Sequence, residues 1–228
     1  MRDQITAAVE TSTPPRAAAL EIVGRINRAT GQREGGVIGL TSQQAAYVRN
    51  MRAELARIHL EDQFQIEGDS LKIIRNPGQN YFTRAKRDRR FDGLVRAAME
   101  GGKPVSKADI DRIAGRYADR LLKLRGDTIA RTEAINAMRA GQHEGFRQLV
   151  DSGRVRDDQI ERTWSATPDL ATRHDHVAMN GTKLRGMGKL WQLPDGSVME
   201  FPGDTSHGAK ASEVINCRCT EKYRIRYE

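Results

Sequence analysis

Two cysteines and a histidine near the C-terminus carry the side chains best suited to hold a metal ion. The chain has 228 residues and two cysteines, Cys217 and Cys219, in a C-x-C arrangement. Because zinc prefers thiolate and imidazole ligands, Cys217, Cys219 and His176 form a candidate structural zinc site. Three residues are candidates for the fourth ligand: Asp169, His174 and His207. In the other interpretation no cofactor is bound, and the two sulfur-bearing side chains fill the core.

A second group of polar residues is expected on one face of a short helix. Thr167-Pro168 is typical of a helix start and Asn180-Gly181 of a helix end, so a helix is predicted over residues 168–179. Residues at positions i, i+4 and i+7 share a helix face, so they should border the same pocket. The residues with this spacing are Asp169, Arg173 and His176.

An enzyme that works by acid/base chemistry is the weaker interpretation of these residues. It would use His176 with Glu133 or Asp169 for proton transfer. Arg131 or Arg173 would hold an anionic substrate. A lone histidine with acidic neighbours is weak evidence for catalysis, and the sequence lacks G-x-S-x-G, H-E-x-x-H, GxGxxG before a helix and a phosphate-binding loop. We therefore predict that the protein is not an enzyme.

One arginine of the preceding helical region is expected to face inward. Helices are predicted over residues 106–126 and 127–150, and Gly126 favours an αα-hairpin with a tight turn between them. Arg131 falls on the apolar stripe of the second helix. A buried guanidinium needs an internal partner, and Asp169 is the nearest chemical match. We therefore expect a buried Arg131–Asp169 ion pair in a polar cluster that joins the C-terminal sheet to this helix.

The residues after position 153 predict a small antiparallel sheet. Alternating residues favour strands over 160–166 and 217–227, and a hairpin is expected over 190–201 with its turn at Pro194-Asp195-Gly196. The predicted fold is α+β, with a helix-rich N-terminal two-thirds and a small C-terminal antiparallel sheet packed on the αα-hairpin.

The N-terminal part is expected to be helical apart from a β-hairpin arm within residues 64–83. Thr41 or Ser42 is predicted to cap one helix, and Ser106 with Asp109 forms the capping pair of another. Two domains are expected, a basic helical N-terminal region over residues 1–102 and a C-terminal module over residues 103–228.

The positive charge of the chain is concentrated in its N-terminal half. The formal net charge is +8, and residues 127–228 contain 15 basic and 15 acidic residues, whereas residues 72–96 contain eight basic and two acidic ones. Double-stranded DNA is a natural partner for such a cluster because each neutralised phosphate releases counterions, and a solvated helix face is the alternative. The candidate DNA-binding residues are Arg84, Lys86, Arg87, Arg89 and Arg90.

No membrane partner is expected. The sequence has no run of about 18 apolar residues, which a membrane-spanning helix requires. The first residues lack the apolar segment of a secretory signal, so the protein is expected to stay in the cytoplasm of the cell that makes it until it is packaged.

Several short motifs in the second half of the chain occur in an order found in one protein family. They span about residues 106–222 and are, in chain order, Ile129-Ala130-Arg131-Thr132-Glu133, Trp164, Asp169, Thr172-Arg173, His176, Gly181, Pro202-Gly203-Asp204 and Asn216-Cys217-Arg218-Cys219. This order resembles the phage Mu F-like head morphogenesis family, the minor head proteins of tailed phages. Ala171 departs from the family pattern, in which a second arginine is common.

The resemblance implies a non-enzymatic minor capsid protein of the virion, present in few copies in the head interior. The implied partners are the portal protein and other head proteins, and the implied roles are head assembly and DNA packaging or ejection. Structural roles are implied for the motif residues Arg131, Glu133, Asp169, Arg173, His176, Gly181, Asn216 and Arg218.

Two alternatives accompany this resemblance. Members of the family also occur fused to toxin domains, so the other function is a nuclease or other effector enzyme carried in the virion that uses His176 with Glu133 or Asp169. The N-terminal part is short for the family, which leaves open whether upstream portal-contacting sequence is missing.

Overall fold

The computed structural model describes residues 6–8, 10–27, 33–58, 64–67, 70–73 and 81–227. Helices and small antiparallel sheets make up the described part, which confirms the predicted α+β class. The chain divides into two compact units. Unit 1 contains residues 1–22 and 127–228, and unit 2 contains residues 23–126.

The regular elements are numbered along the chain. The helices are α1 (Pro15–Val23), α2 (Ser42–Arg57), α3 (Asp92–Glu100), α4 (Lys107–Asp151), α5 (His174–Met179) and α6 (Ala211–Val214). The strands are β1 (Arg25–Ile26), β2 (Arg33–Glu34), β3 (Phe64–Glu67), β4 (Ser70–Ile73), β5 (Ile160–Ser165), β6 (Lys183–Arg185), β7 (Trp191–Gln192), β8 (Val198–Met199) and β9 (Thr220–Ile225). Among the described residues, no helix has the length and apolar character needed to cross a membrane.

Local capping chemistry defines the starts of α2 and α4. The Thr41 side chain accepts a hydrogen bond from Gln44 N at 3.1 Å, and the Gln44 side chain accepts one from Thr41 N, so Thr41 is the N-cap of α2 as predicted. At the start of α4, the Ser106 hydroxyl accepts a hydrogen bond from Asp109 N at 3.1 Å, which confirms the second predicted cap.

The core of unit 2 lies among α2, α3 and the first turns of α4. The residues fully buried in it include Met51, Leu55, Ile58, Tyr81, Val95 and Ile113. Strands β3 and β4 pair antiparallel and confirm the predicted β-hairpin arm in its backbone. The expected turn at Gly68-Asp69 and the segment 74–80 lie outside the described residues.

Helix α4 corrects the predicted αα-hairpin. It runs without a break from Lys107 to Asp151, and Gly126 lies within it. A glycine inside a helix costs only about 1 kcal/mol relative to alanine, so the helix-forming residues on both sides of Gly126 outweigh it. A single long helix therefore precedes the small sheet in the chain. This helix ends near residue 150, as expected.

Unit 1 contains the predicted C-terminal sheet. Strand β5 is central in the order β6-β5-β9, and both of its neighbours run antiparallel to it. The hairpin of β7 and β8 forms as predicted, with Gly196 at φ +84° in the turn. Strand β6 was not expected from the sequence, and the last strand begins at Thr220, after both cysteines.

The helix predicted over residues 168–179 is shorter than expected, because α5 begins at His174. Upstream of it, the Asp169 carboxylate accepts a hydrogen bond from Ala171 N at 3.0 Å. This local bond from a side chain to the backbone competes with helix formation and keeps the segment in a turn. Asp169 therefore precedes the helix, and Arg173 occupies the N-cap position without a capping side-chain bond.

Candidate functional site

The two cysteine sulfurs and the His176 ring meet inside unit 1. His176 Nδ1 lies 3.3 Å from Cys219 Sγ and 3.6 Å from Cys217 Sγ. One ligand atom from each of the three residues lies within 4.8 Å of the other two, and each residue is 2% exposed. These three residues, which the sequence singled out, could hold a metal ion.

Separate elements position the three side chains. His176 lies on α5, and its ring packs edge-on against Trp164 of β5 with ring centroids 5.6 Å apart. The cysteines occupy the turn between α6 and β9. Asn216 adopts φ +56°, a left-handed conformation that asparagine tolerates, and its N–H donates to Thr132 Oγ1 of α4 at 3.0 Å. The turn is thus attached to the long helix just before the first cysteine.

Two buried charged groups flank the cluster. Glu213 Oε2 lies 3.1 Å from His176 Nε2, the ring nitrogen that faces away from the sulfurs, and Glu213 is 7% exposed. The two atoms are close enough for an ion pair, but their geometry is not that of a hydrogen bond. On another side, the Arg139 guanidinium donates to the Cys217 carbonyl at 2.9 Å and is 5% exposed.

The two thiols have opposite pKa shifts. A hydrogen bond from Cys219 lowers the pKa of Cys217 to about 4, with further contributions from His176 and the Arg139 cation. The same hydrogen bond to Cys217 raises the pKa of Cys219, and burial adds to this effect. Both cysteines are free in the structure.

A small cleft opens beside the cluster. Its lining includes His176, Cys219, Arg173 and Arg218. Arg173 and His176 therefore border one pocket as predicted, but Asp169, the third residue of the predicted group, is not among the residues that line it. Arg173 lies at the cleft, and its guanidinium donates a hydrogen bond to the Ile215 carbonyl at 2.6 Å.

Asp169 has a different partner from the one expected. Both oxygens of its carboxylate accept hydrogen bonds from the Arg218 guanidinium, each at 2.6 Å. These bonds hold the pKa of Asp169 at about 2, so the pair stays charged at neutral pH. The pair connects the turn before α5 to the C-x-C segment, since Arg218 stands between the two cysteines.

The predicted buried pair of Arg131 with Asp169 is wrong. Arg131 is exposed on α4, as is Glu133, and Asp169 is bound to Arg218. The stripe that contains Arg131 also contains Met138, which is 75% exposed, so apolar spacing pointed to the wrong helix face. The buried face of this part of α4 carries Arg139 and His143.

Arg162 is a buried arginine that was not among the residues predicted from the sequence. It is fully buried on β5, pairs with Glu221 of β9 at 3.2 Å and donates to three backbone carbonyls. Those carbonyls belong to Gly186, Lys189 and Glu200. A signal was present, because Ile160, Arg162 and Trp164 have the same parity on one strand and all three are buried.

Glu221 is the centre of a network of hydrogen bonds in this region. Its carboxylate accepts hydrogen bonds from Trp191 Nε1 and from the Tyr223 hydroxyl. His143 Nδ1 lies 3.0 Å from the same hydroxyl and thereby joins α4 to the sheet. Arg162, Glu221 and His143 thus form a buried polar cluster between helix and sheet, and the predicted cluster around an Arg131–Asp169 pair is wrong.

The remaining motif residues, Gly181, Gly203 and Asp204, lie in turns. Gly181 has φ +81° after α5, and its N–H donates to the Trp164 carbonyl at 2.9 Å. Gly203 has φ +94° and lies so close to Asn136 and Arg139 that a side chain would collide with them. Asp204 accepts hydrogen bonds from Glu200 N and Ser206 N at 2.9 and 2.8 Å.

The basic cluster in unit 2 is only partly available to a ligand. Arg84 is 4% exposed and pairs with Glu54 at 2.9 Å, which corrects its assignment to a DNA-binding surface. Arg87 is half-buried and makes two hydrogen bonds to Asp92 at 2.9 and 3.0 Å. The remaining three members of the cluster, Lys86, Arg89 and Arg90, are exposed.

Comparison with known proteins agrees with the order of the motifs. The family model described as "Phage Mu protein F like protein" matches residues 92–221. No curated protein and no solved structure gives a significant match. The matched segment covers more than half of the chain and includes His176, Arg162 and the residues around them. The chain therefore belongs to the phage Mu protein F-like family.

Proposed function

We propose that this phage head morphogenesis protein is a minor capsid protein that contacts the portal in the head interior and has no enzymatic activity. The observation that carries the proposal is the family match over residues 92–221. That segment contains every motif residue whose geometry is described above, from Arg131 to Cys219.

The contacts of the motif residues favour a structural role. Asp169 binds Arg218, Arg173 binds a backbone carbonyl, and Asn216 binds Thr132 of α4. Each of these bonds links segments that are far apart in the chain. Such bonds stabilise one arrangement of turns, which suits a protein that must present a fixed surface to head proteins.

The enzymatic alternative has less support from the site. It needs His176 to face Glu133 or Asp169, but Glu133 is exposed and Asp169 is held by Arg218. The carboxylate beside His176 is that of Glu213, and both groups are buried. The expected acid/base pairs are therefore not formed.

Contact with packaged DNA is the second part of the proposal. Lys86 and Arg89 leave exposed positive charge in unit 2, and Arg96 and Lys103 are exposed nearby in sequence. Arg90 is also exposed, but its charge is paired with Asp88. Phosphate contacts of this kind provide affinity without sequence preference. We propose that they bind double-stranded DNA in the head.

Co-expression with the portal protein of the same phage tests the proposed partner. The full chain, without an affinity tag, should elute with the tagged portal protein in size-exclusion chromatography and in a defined ratio. The matched control is a second head protein, the major capsid protein, in place of the portal. If the chain elutes alone in both cases, it does not contact the portal and that part of the proposal is wrong.

A further inference from the structure

The sulfur–nitrogen distances among Cys217, Cys219 and His176 are close to those of a tetrahedral zinc site. Zinc binds sulfur at about 2.3 Å and nitrogen at about 2.0 Å, so a tetrahedral ion places a sulfur and a nitrogen ligand about 3.6 Å apart. The two observed sulfur–nitrogen distances are 3.6 and 3.3 Å. An ion could therefore enter with little movement of the side chains.

Glu213 is placed to prepare His176 as a ligand. Its carboxylate lies 3.1 Å from Nε2, whereas the sulfurs face Nδ1. A carboxylate beside one ring nitrogen favours a proton there and leaves the lone pair on the other nitrogen, as in carboxylate–histidine–zinc arrangements. Glu213 is thus a positioning residue and does not itself bind the ion.

The charges around the cluster suit a divalent cation. Two thiolates and the Glu213 carboxylate would bring three negative charges into a buried region, where Arg139 supplies one positive charge. Buried charge without compensation is costly. A doubly charged ion brings the group to neutrality, and the combination of thiolate and imidazole ligands selects zinc over magnesium or calcium.

We propose that Cys217, Cys219 and His176 bind one Zn²⁺ ion whose fourth position is occupied by water from the adjoining cleft. Among the described residues, no fourth acidic, cysteine or histidine side chain joins the three donor atoms. His176 and Cys219 both line the cleft, which could supply this water. The site would fasten the C-x-C turn to α5, and it does not depend on the proposed function.

Metal analysis of the full, untagged chain tests the site. Inductively coupled plasma mass spectrometry should find about one zinc per chain, and Cys217→Ser or Cys219→Ser should remove it. His174→Ala is the matched control, because His174 is a neighbour of His176 whose side chain is 95% exposed. That variant should keep its zinc.

Two further measurements keep the test valid if the cysteine variants fail to fold. Cobalt added to the metal-free chain should give the intense visible absorption of a tetrahedral ion with thiolate ligands. Glu213→Gln should weaken zinc affinity by about 10–100-fold and still bind one zinc at saturation, as expected for a residue that orients a ligand. A chain that takes up neither zinc nor cobalt, or whose two cysteines form a disulfide in the purified protein, would overturn the proposal.

Discussion

At the scale of single residues, two arginines of unit 1 have opposite environments. Arg162 is fully buried and paired with Glu221, whereas Arg131 is exposed. Helical spacing alone predicts a buried position for Arg131, because this residue shares a stripe with apolar residues. Strand parity with Ile160 and Trp164 would have identified Arg162, but its partner could not be inferred, since the pairing depends on the register of β5 and β9.

Because of these environments, replacing each arginine by alanine should lower the free energy of unfolding by different amounts. Arg162→Ala leaves the buried Glu221 carboxylate without its cation, so it should lower the free energy of unfolding by about 3–5 kcal/mol. Arg131→Ala removes an exposed side chain and should change it by less than about 0.5 kcal/mol. Urea unfolding followed by circular dichroism measures both. Equal effects of the two substitutions would contradict the assignment of the buried network.

The motif residues show which contacts of the site can be predicted from the sequence. Arg173 and His176 line one cleft as predicted, because they are only three residues apart, whereas Asp169 precedes the helix and is not among the lining residues. The partners of Asp169 and His176 were not predictable in the same way. Arg218 and Glu213 lie more than 35 residues further along the chain, and the fold alone brings them together.

At the scale of elements, the residues that cap the starts of helices were predicted correctly, whereas the predicted end of a helix at Gly126 was not. Thr41 and Ser106 cap their helices through bonds to residues three positions away, so local sequence was sufficient. Gly126 was expected to end a helix and did not, because the cost of one glycine is small beside the helical preference of its neighbours. Strand β6 has only three residues, too few for an alternating pattern to indicate a strand, and it forms by pairing with β5.

Asp88 stabilises the segment between the β-hairpin arm and α3. Its buried carboxylate caps the short 3-10 helix Arg89–Phe91 and pairs with Arg90 at 2.7 Å and Arg120 at 3.2 Å. The hydrogen bond from Arg90 is the main reason why the pKa of Asp88 is lowered to about 2. Since this value lies below that of the unfolded chain, the stabilisation is complete above about pH 4 and is lost as the pH falls towards 2.

The variant Asp88→Asn should therefore destabilise the protein in a pH-dependent way. At pH 6 the free energy of unfolding should fall by on the order of 1–2 kcal/mol, because hydrogen bonds to a charged group are lost. The difference from the unmodified protein should shrink towards zero near pH 2 in urea titrations. Asp111→Asn, at an exposed pair with Arg52, is the control and should have little effect at either pH. A difference that persists near pH 2 would contradict the ion-pair account.

At the scale of the whole molecule, the charge distribution in the sequence overstated the surface available to DNA. Five cationic residues were assigned to one surface, but Arg84 and Arg87 are engaged with Glu54 and Asp92. A count of charges cannot distinguish a cation that pairs inside the fold from one that faces solvent. The exposed residues Lys86 and Arg89 therefore provide the more direct test.

Salt dependence of DNA binding tests their role. The double variant Lys86→Ala/Arg89→Ala should weaken binding to a duplex of any sequence and reduce the slope of log K against log salt by about 1.8, since each phosphate contact contributes about 0.9. The control Lys222→Ala/Arg224→Ala removes two exposed cations of β9 in the electrically neutral half of the chain. Fluorescence anisotropy with duplex DNA measures both slopes, and an equal change in the two variants would exclude a specific role for the unit 2 cations.

Quantitative mass spectrometry of purified phage particles tests the central claim most directly, namely that this family member is a minor protein of the head interior. The chain should be present in few copies per particle, and added protease should leave it intact until the heads are opened. Absence from mature particles, or cleavage in intact DNA-filled heads, would contradict the account.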